Sequence, residues 1–208
     1  TLEVLSGSTV DVSAANIGNL GTVTVDGSTF SADSLTNKGT FTVKGTSTLN
    51  IGKLTDNAIE VVDGAKISES TIGGGVNMVS GTTTWSGTNT VKGIFSAGYF
   101  VRKGNITTNI LGNFTVDNLL VSSDKTYNTI VNIGNAQADR TTVNAGQIGM
   151  FSSNNAINIV NADVNYNYIF AQDDYNVKNN LIEAEIENIN LYKKTNKLQI
   201  NIASSKSI

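Results

Sequence analysis

The sequence predicts an all-β fold: a parallel β-solenoid of stacked, three-sided coils over residues 1–180, a β-hairpin cap over 181–203 and a tail over 204–208. Three observations predict it. A glycine-centred phrase returns at near-constant intervals, apolar residues keep a steady offset from that glycine, and the composition is that of a folded β chain.

The phrase reads Val4-Leu5-Ser6-Gly7, Val23-Thr24-Val25-Asp26-Gly27, Phe41-Thr42-Val43-Lys44-Gly45, Ile59-Glu60-Val61-Val62-Asp63-Gly64 and Val76-Asn77-Met78-Val79-Ser80-Gly81. Its glycines are 20, 18, 19 and 17 residues apart. Counted from each glycine, apolar residues fall into three clusters. The first is Leu5, Val25, Val43, Val62 and Val79, the second Val10, Phe30, Leu49, Ile67 and Trp85, and the third Ile17, Leu35, Leu54, Ile72 and Val91. Three inward clusters per coil imply three short strands around a triangular section, each alternating in and out with period two. Coils stacked at ~4.8 Å set each strand beside its equivalent in the next coil. The resulting parallel sheets need no helical crossover, because the other two sides of the coil make the return. A helical reading fails on the alternation, the β-branched residues and the glycines that interrupt every long window.

Beyond about residue 94 the pattern loosens. Phe95, Tyr99-Phe100-Val101, Ile110-Leu111, Phe114-Thr115-Val116, Ile130-Val131-Asn132-Ile133 and Ile157-Asn158-Ile159-Val160 continue the strand rhythm at irregular spacing. They predict further coils with longer side loops. Ile182-Glu183-Ala184-Glu185-Ile186-Glu187 alternates strictly. Ile189-Asn190-Leu191-Tyr192, the polar turn Lys193-Lys194-Thr195-Asn196 and Leu198-Gln199-Ile200-Asn201-Ile202 then read as a hairpin that would cover the open end of the stack.

Composition narrows the chemistry. Apolar content is 39% and charged content 15%, with no Cys, Pro or His. Absence of Cys removes disulfides and thiolate metal sites, and absence of His removes the usual general base and the commonest zinc ligand. A net charge of −3 argues against a nucleic-acid partner. No apolar run approaches the ~20 residues of a membrane helix, so no membrane insertion is expected within this chain. The start at Thr1, without Met, is expected of an excised or processed piece.

Several patterns invite a site. Tyr166, Tyr168 and Phe170 fall on one predicted strand face with Tyr175 nearby, and facing outward they would stack on sugar rings or meet a protein partner. Facing inward they would fill a wide coil, which is the plainer reading; they remain the candidate ligand-binding set. Glu183, Glu185 and Glu187 would suit Ca²⁺ chemically, but same-face strand neighbours lie ~6.5–7 Å apart, and a solvated face is the better account. Asp173 and Asp174 are adjacent, so in an extended chain they point to opposite faces, which argues against their working as a carboxylate pair. Arg102-Lys103 and Lys193-Lys194-Lys197 read as solvated turns. The triplets Thr22-Val23-Thr24 and Thr40-Phe41-Thr42 align one coil apart, but Glu60 and Asn77 break the rank that ice binding would need. No catalytic residue, metal ligand or cofactor site is assigned.

Segments such as Gly21-Thr22-Val23-Thr24-Val25-Asp26-Gly27-Ser28-Thr29-Phe30 and Asn37-Lys38-Gly39-Thr40-Phe41-Thr42-Val43-Lys44-Gly45 resemble the passenger regions of bacterial autotransporter and filamentous-haemagglutinin-like adhesins. The resemblance covers about the first 120 residues and carries no invariant functional motif. It implies a right-handed parallel β-helix that is secreted to the cell surface and acts without catalysis, as a stalk or an adhesive surface. Its partners would be a host or bacterial glycan, a protein or a neighbouring copy. A self-assembling surface-layer or fibril subunit and a polysaccharide-degrading β-helix are the alternatives.

Overall fold

The computed structural model describes residues 1–137, 139–151, 155–172 and 200–203. Among them are nineteen strands and no helix, and every strand pairing is parallel and joins one coil to the next. The first side of the solenoid is traced by one continuous register: Val4, Val25, Val43, Val61, Met78, Ala97, Val121, Met150 and Ala171 are successive partners. These nine positions bound about eight turns. The chain between partners lengthens from 17 residues (Val61 to Met78) to 29 (Val121 to Met150).

The second side carries the register Ser47, Ile67, Trp85, Ile110, Ile133, Ile159 and Ile202. The third carries Val12, Ala32, Ile51, Ile72, Val91, Val116, Ala145 and Tyr166. Inward residues of all three sides merge into one continuous core along the axis. At its middle Trp85, Phe95 and Phe114 pack edge to face with ring centroids 4.9–5.7 Å apart. Such ring pairs add about 0.5–1.5 kcal/mol each beyond the area they bury.

The predicted fold class is the observed one, but the predicted clusters are not the observed stacks. In the first cluster Val25 and Val43 occupy the inward register, but Val4, Val61 and Met78 stand there in place of Leu5, Val62 and Val79, and Leu5 is 55% exposed. The cause is turn length. Two residues separate the last inward residue from the glycine in Val4-Leu5-Ser6-Gly7, Val61-Val62-Asp63-Gly64 and Met78-Val79-Ser80-Gly81, but one does in Val25-Asp26-Gly27 and Val43-Lys44-Gly45. Counting back from glycine therefore slips by one. The second cluster merges two stacks, since Val10, Phe30 and Leu49 pair on the third side while Ile67 and Trp85 pair on the second. The third cluster splits likewise. Ile17, Leu35 and Leu54 form a stack of their own, which ends where Gly73-Gly74-Gly75 carries the chain directly from Ile72 to Val76. A Cβ at Gly73 would lie 2.0 Å from the Gly52 carbonyl oxygen, so this short cut requires glycine.

Between the sides the backbone turns away from its ladder, and small polar side chains supply the missing partners. Ser47 Oγ accepts from Ser28 N, Ser70 Oγ from Leu49 N and Asn89 Oδ1 from Ser70 N. Elsewhere Asn19 donates to Asn37 Oδ1 and Thr40 O, and Asn37 donates to Asn57 O. The predicted hairpin cap lies mostly outside the described residues; its last part, Ile200–Ala203, is a strand parallel to Asn155–Val160.

Candidate functional site

The chain leaves the regular coil by two described loops at the end of the first side, after Ala97 and after Ser122. Tyr99-Phe100-Val101, expected as strand, belongs to the first of these: the strand Thr88–Ala97 ends before it. Gly98 makes the exit at φ +71, and a Cβ there would meet Ser122 O at 2.6 Å. Ser96, fully buried beneath, accepts from the N–H groups of Tyr99 and Phe100 through its Oγ. The polar contacts give this loop a fixed shape.

Arg102 ties the two loops together. Its Nε and Nη2 donate to Gly98 O, Nη2 also reaches Ser122 Oγ, and Nη1 pairs with Asp124 Oδ2 at 2.7 Å. Asp124 Oδ1 accepts from Thr126 N and Tyr127 N, both at 2.7 Å. Those two N–H groups, and then the Arg102 guanidinium, hold the Asp124 carboxyl below its ordinary value. Lys103, the other half of the basic spot, pairs with Glu60 at 3.0 Å. The predicted solvated turn is thus a bonded one.

On this scaffold the loop presents Tyr99 and Phe100, 38% and 56% exposed. Tyr99 packs on Phe100 at 4.8 Å and on Phe151 at 4.5 Å between ring centroids. The result is an aromatic shelf on the outside of the first side, in a region where Leu120 and Gly149 are buried. Exposed aromatic rings fixed in place at low entropic cost are suited to stacking on the apolar face of a ring-shaped ligand.

The candidate residues in the last described coil do not share one face. Tyr166, register partner of Ala145, packs against the core, and burial pushes its phenol pKa up. Tyr168, partner of Gln147, is exposed, and Ile169 beside it is buried. A corner between the third and first sides falls at Asn167 and resets the alternation, as Lys92 and Gly93 do in the strand Thr88–Ala97. Phe170 is the register partner of Gly149, two residues before Gln172, the partner of Phe151. Tyr175, Asp173, Asp174, Glu183, Glu185, Glu187 and Lys193, Lys194 and Lys197 lie outside the described residues.

Among the described residues no group of three His, Cys, Asp or Glu is placed to hold a metal ion, and no helix is long and apolar enough to cross a membrane. The exposed Arg140–Asp163 pair lowers the Asp163 carboxyl pKa through its hydrogen bond. The Thr22/Thr40 and Thr24/Thr42 ranks do stack, and Glu60 follows Thr42. No protein-family model, curated protein or solved structure matches this chain.

Proposed function

We propose that this chain is a bacterial cell-surface β-solenoid that works by presentation, a stiff rod carrying a saccharide-binding aromatic shelf. The observation that carries the reading is the shelf itself: Tyr99 and Phe100 stand on a loop tied by the Arg102–Asp124 clasp, and Tyr99 packs on Phe151 at the end of the strand Thr141–Phe151. Two exposed rings that packing alone would bury elsewhere in this core are the feature least explained by folding. The rod supports the presentation, because a ladder bonded from coil to coil resists bending. A hydrolytic site would need a carboxyl with a raised pKa. Asp124 and Asp163 are both lowered, so neither is suited to that role.

The test is a glycan array followed by titration of the sugars that bind. The wild-type chain is expected to bind, and the double change Tyr99→Ala, Phe100→Ala to weaken binding by at least about tenfold, one ring stack or more. A chain that binds no array glycan, or that releases reducing ends from a polysaccharide panel, overturns the proposal. Ordered sheets or filaments formed without any glycan binding would point instead to a self-assembling subunit.

A further inference from the structure

A second exterior feature lies on another side of the same coils. The strands Ile106–Ile110, Thr129–Ile133 and Asn155–Val160 of the second side send Ile110 and Ile133 into the core. Alternation then turns Asn109, Asn132 and Asn158 outward, in register with one another. Asn132 Nδ2 donates to Asn109 Oδ1 and Asn158 Nδ2 to Asn132 Oδ1, each at 2.9 Å. Beside this ladder the chain turns at Gly134, φ +74, whose N–H donates to Ile110 O. The turn that follows is stiffened by Gln137 N donating to Asn135 Oδ1. Between ladder and turn lies a groove of about 460 Å³, with Leu111, Ala136 and Val160 contributing its apolar surface.

This ladder differs from the Asn19–Asn37 one. There the amides are buried and spend their remaining donors on backbone carbonyls of the next coil, so the ladder is a corner fastening. Here the amides are half-buried and bond to each other along the stack. A carboxamide offers two N–H donors and two acceptor lone pairs. The ladder uses one of each at Asn132 and no donor of Asn109, leaving amide N–H and C=O groups at the groove. Among the described residues, none that lines the groove is charged.

We infer that this groove binds a short neutral oligosaccharide, its hydroxyls bonded to the amides of Asn109 and Asn132 and its C–H faces set against Leu111, Ala136 and Val160. The inference rests on the reading of the chain as a saccharide-binding surface protein and adds a separate site to it. Alternating donors and acceptors at a ~4.8 Å rise match a polymer that carries both on each unit. An anionic ligand finds no cation among the described lining residues, and an extended peptide finds no sheet edge, because each of these three strands is paired on both sides. The volume lies in the range of small-ligand sites.

The experiment titrates neutral and acidic oligosaccharides into the wild-type chain, Ala136→Trp, Asn132→Leu and the Tyr99→Ala, Phe100→Ala double variant, with thermal melting of each. Ala136 is exposed on the turn, so Ala136→Trp fills the groove while leaving the core and the melting temperature in place. Neutral oligosaccharides are expected to bind, with both groove variants at least about tenfold weaker. Their addition to the wild-type chain is expected to shift the side-chain amide signals of Asn109 and Asn132. Loss of binding in the shelf variant alone overturns the groove and leaves the saccharide-binding reading standing. Binding of acidic sugars only, weakened by Ala136→Trp, overturns the neutral ligand, and no binding by the wild-type chain overturns both readings.

Discussion

Glycine recurs here for two distinct reasons, and substitution separates them. Gly64 has φ +77, and a Cβ there would have no atom within 4 Å, so its turn needs only the left-handed conformation. Gly39 has no such φ, but a Cβ there would stand 2.0 Å from Gly21 O and 2.8 Å from Gly21 N, both backbone atoms of the coil beneath. Gly64→Ala is expected to cost about 1–2 kcal/mol, the strain of an L-residue at positive φ, and Gly64→Asn less. Gly39→Ala forces two coils apart at a corner where Thr40 N donates to Gly21 O, and is expected to cost about 3 kcal/mol or more. Urea midpoints followed by far-UV circular dichroism measure both; equal losses would show that close approach adds nothing to conformation. Trp85 poses a different residue-scale question, since it is fully buried with Nε1 unpartnered. Trp85→Phe removes an unsatisfied donor along with volume, so it is expected to cost less than Phe95→Ala, for which about 3–5 kcal/mol is typical.

At the scale of elements, the strands were legible and the loops were not. Alternation and the glycine return disclose parallel coils, because both follow from backbone geometry that every coil repeats. The parity within a coil was hidden, since one extra turn residue at Leu5-Ser6 or Val62-Asp63 looks the same as a strand position until the register is known. Tyr99-Phe100-Val101 has the composition of a buried strand, and only Arg102, reaching Ser122 across 20 residues, reveals a loop. The amide ladder was illegible for a related reason: its steps of 23 and 26 residues share no period. The clasp that shapes the shelf is sensitive to acid. Asp124 is held below its ordinary value of 3.8, so its contribution is fully present above that pH and is lost as the pH falls through the folded-state value. Acid is therefore expected to loosen the loop below about pH 3.8 while the coils persist, read as faster exchange of the Tyr99 and Phe100 amides. Asp124→Asn at neutral pH is expected to do the same and to raise tryptic cleavage after Lys103 several-fold. Unchanged exchange and cleavage would mean that the Ser96 turn alone sets the loop.

The whole molecule is a one-dimensional array, and its tolerance of lost coils should follow register rather than length. Thr29 and Thr48 are partners, as are Phe30 and Leu49, so removing Phe30–Thr48 excises one coil of 19 residues and sets Leu49 in the inward place of Phe30. The cut takes Phe30 and Phe41 together, whose rings pack edge to face at 5.1 Å, and leaves neither without its partner. Strand Thr9–Asn19 then meets residues 49–56 through the register that Thr29–Asn37 mediated. Because each coil is bonded only to its neighbours, the loss is one coil and one interface, and the remaining stack is expected to fold with a lowered melting temperature. Removing Phe30–Ser47 instead spares one residue and joins Thr29 to Thr48. Thr48 and Asn50 then point inward while Leu49 and Ile51 point out, which places polar groups in the core and apolar ones in water. Trp85, the only tryptophan of the chain, reports the outcome from the fifth coil by its emission. A blue-shifted emission and a cooperative melt are expected for the in-register deletion, and a broadened or absent transition for the other. Equal damage from both deletions would mean that stability is set by the particular coils present, and not by their stacking.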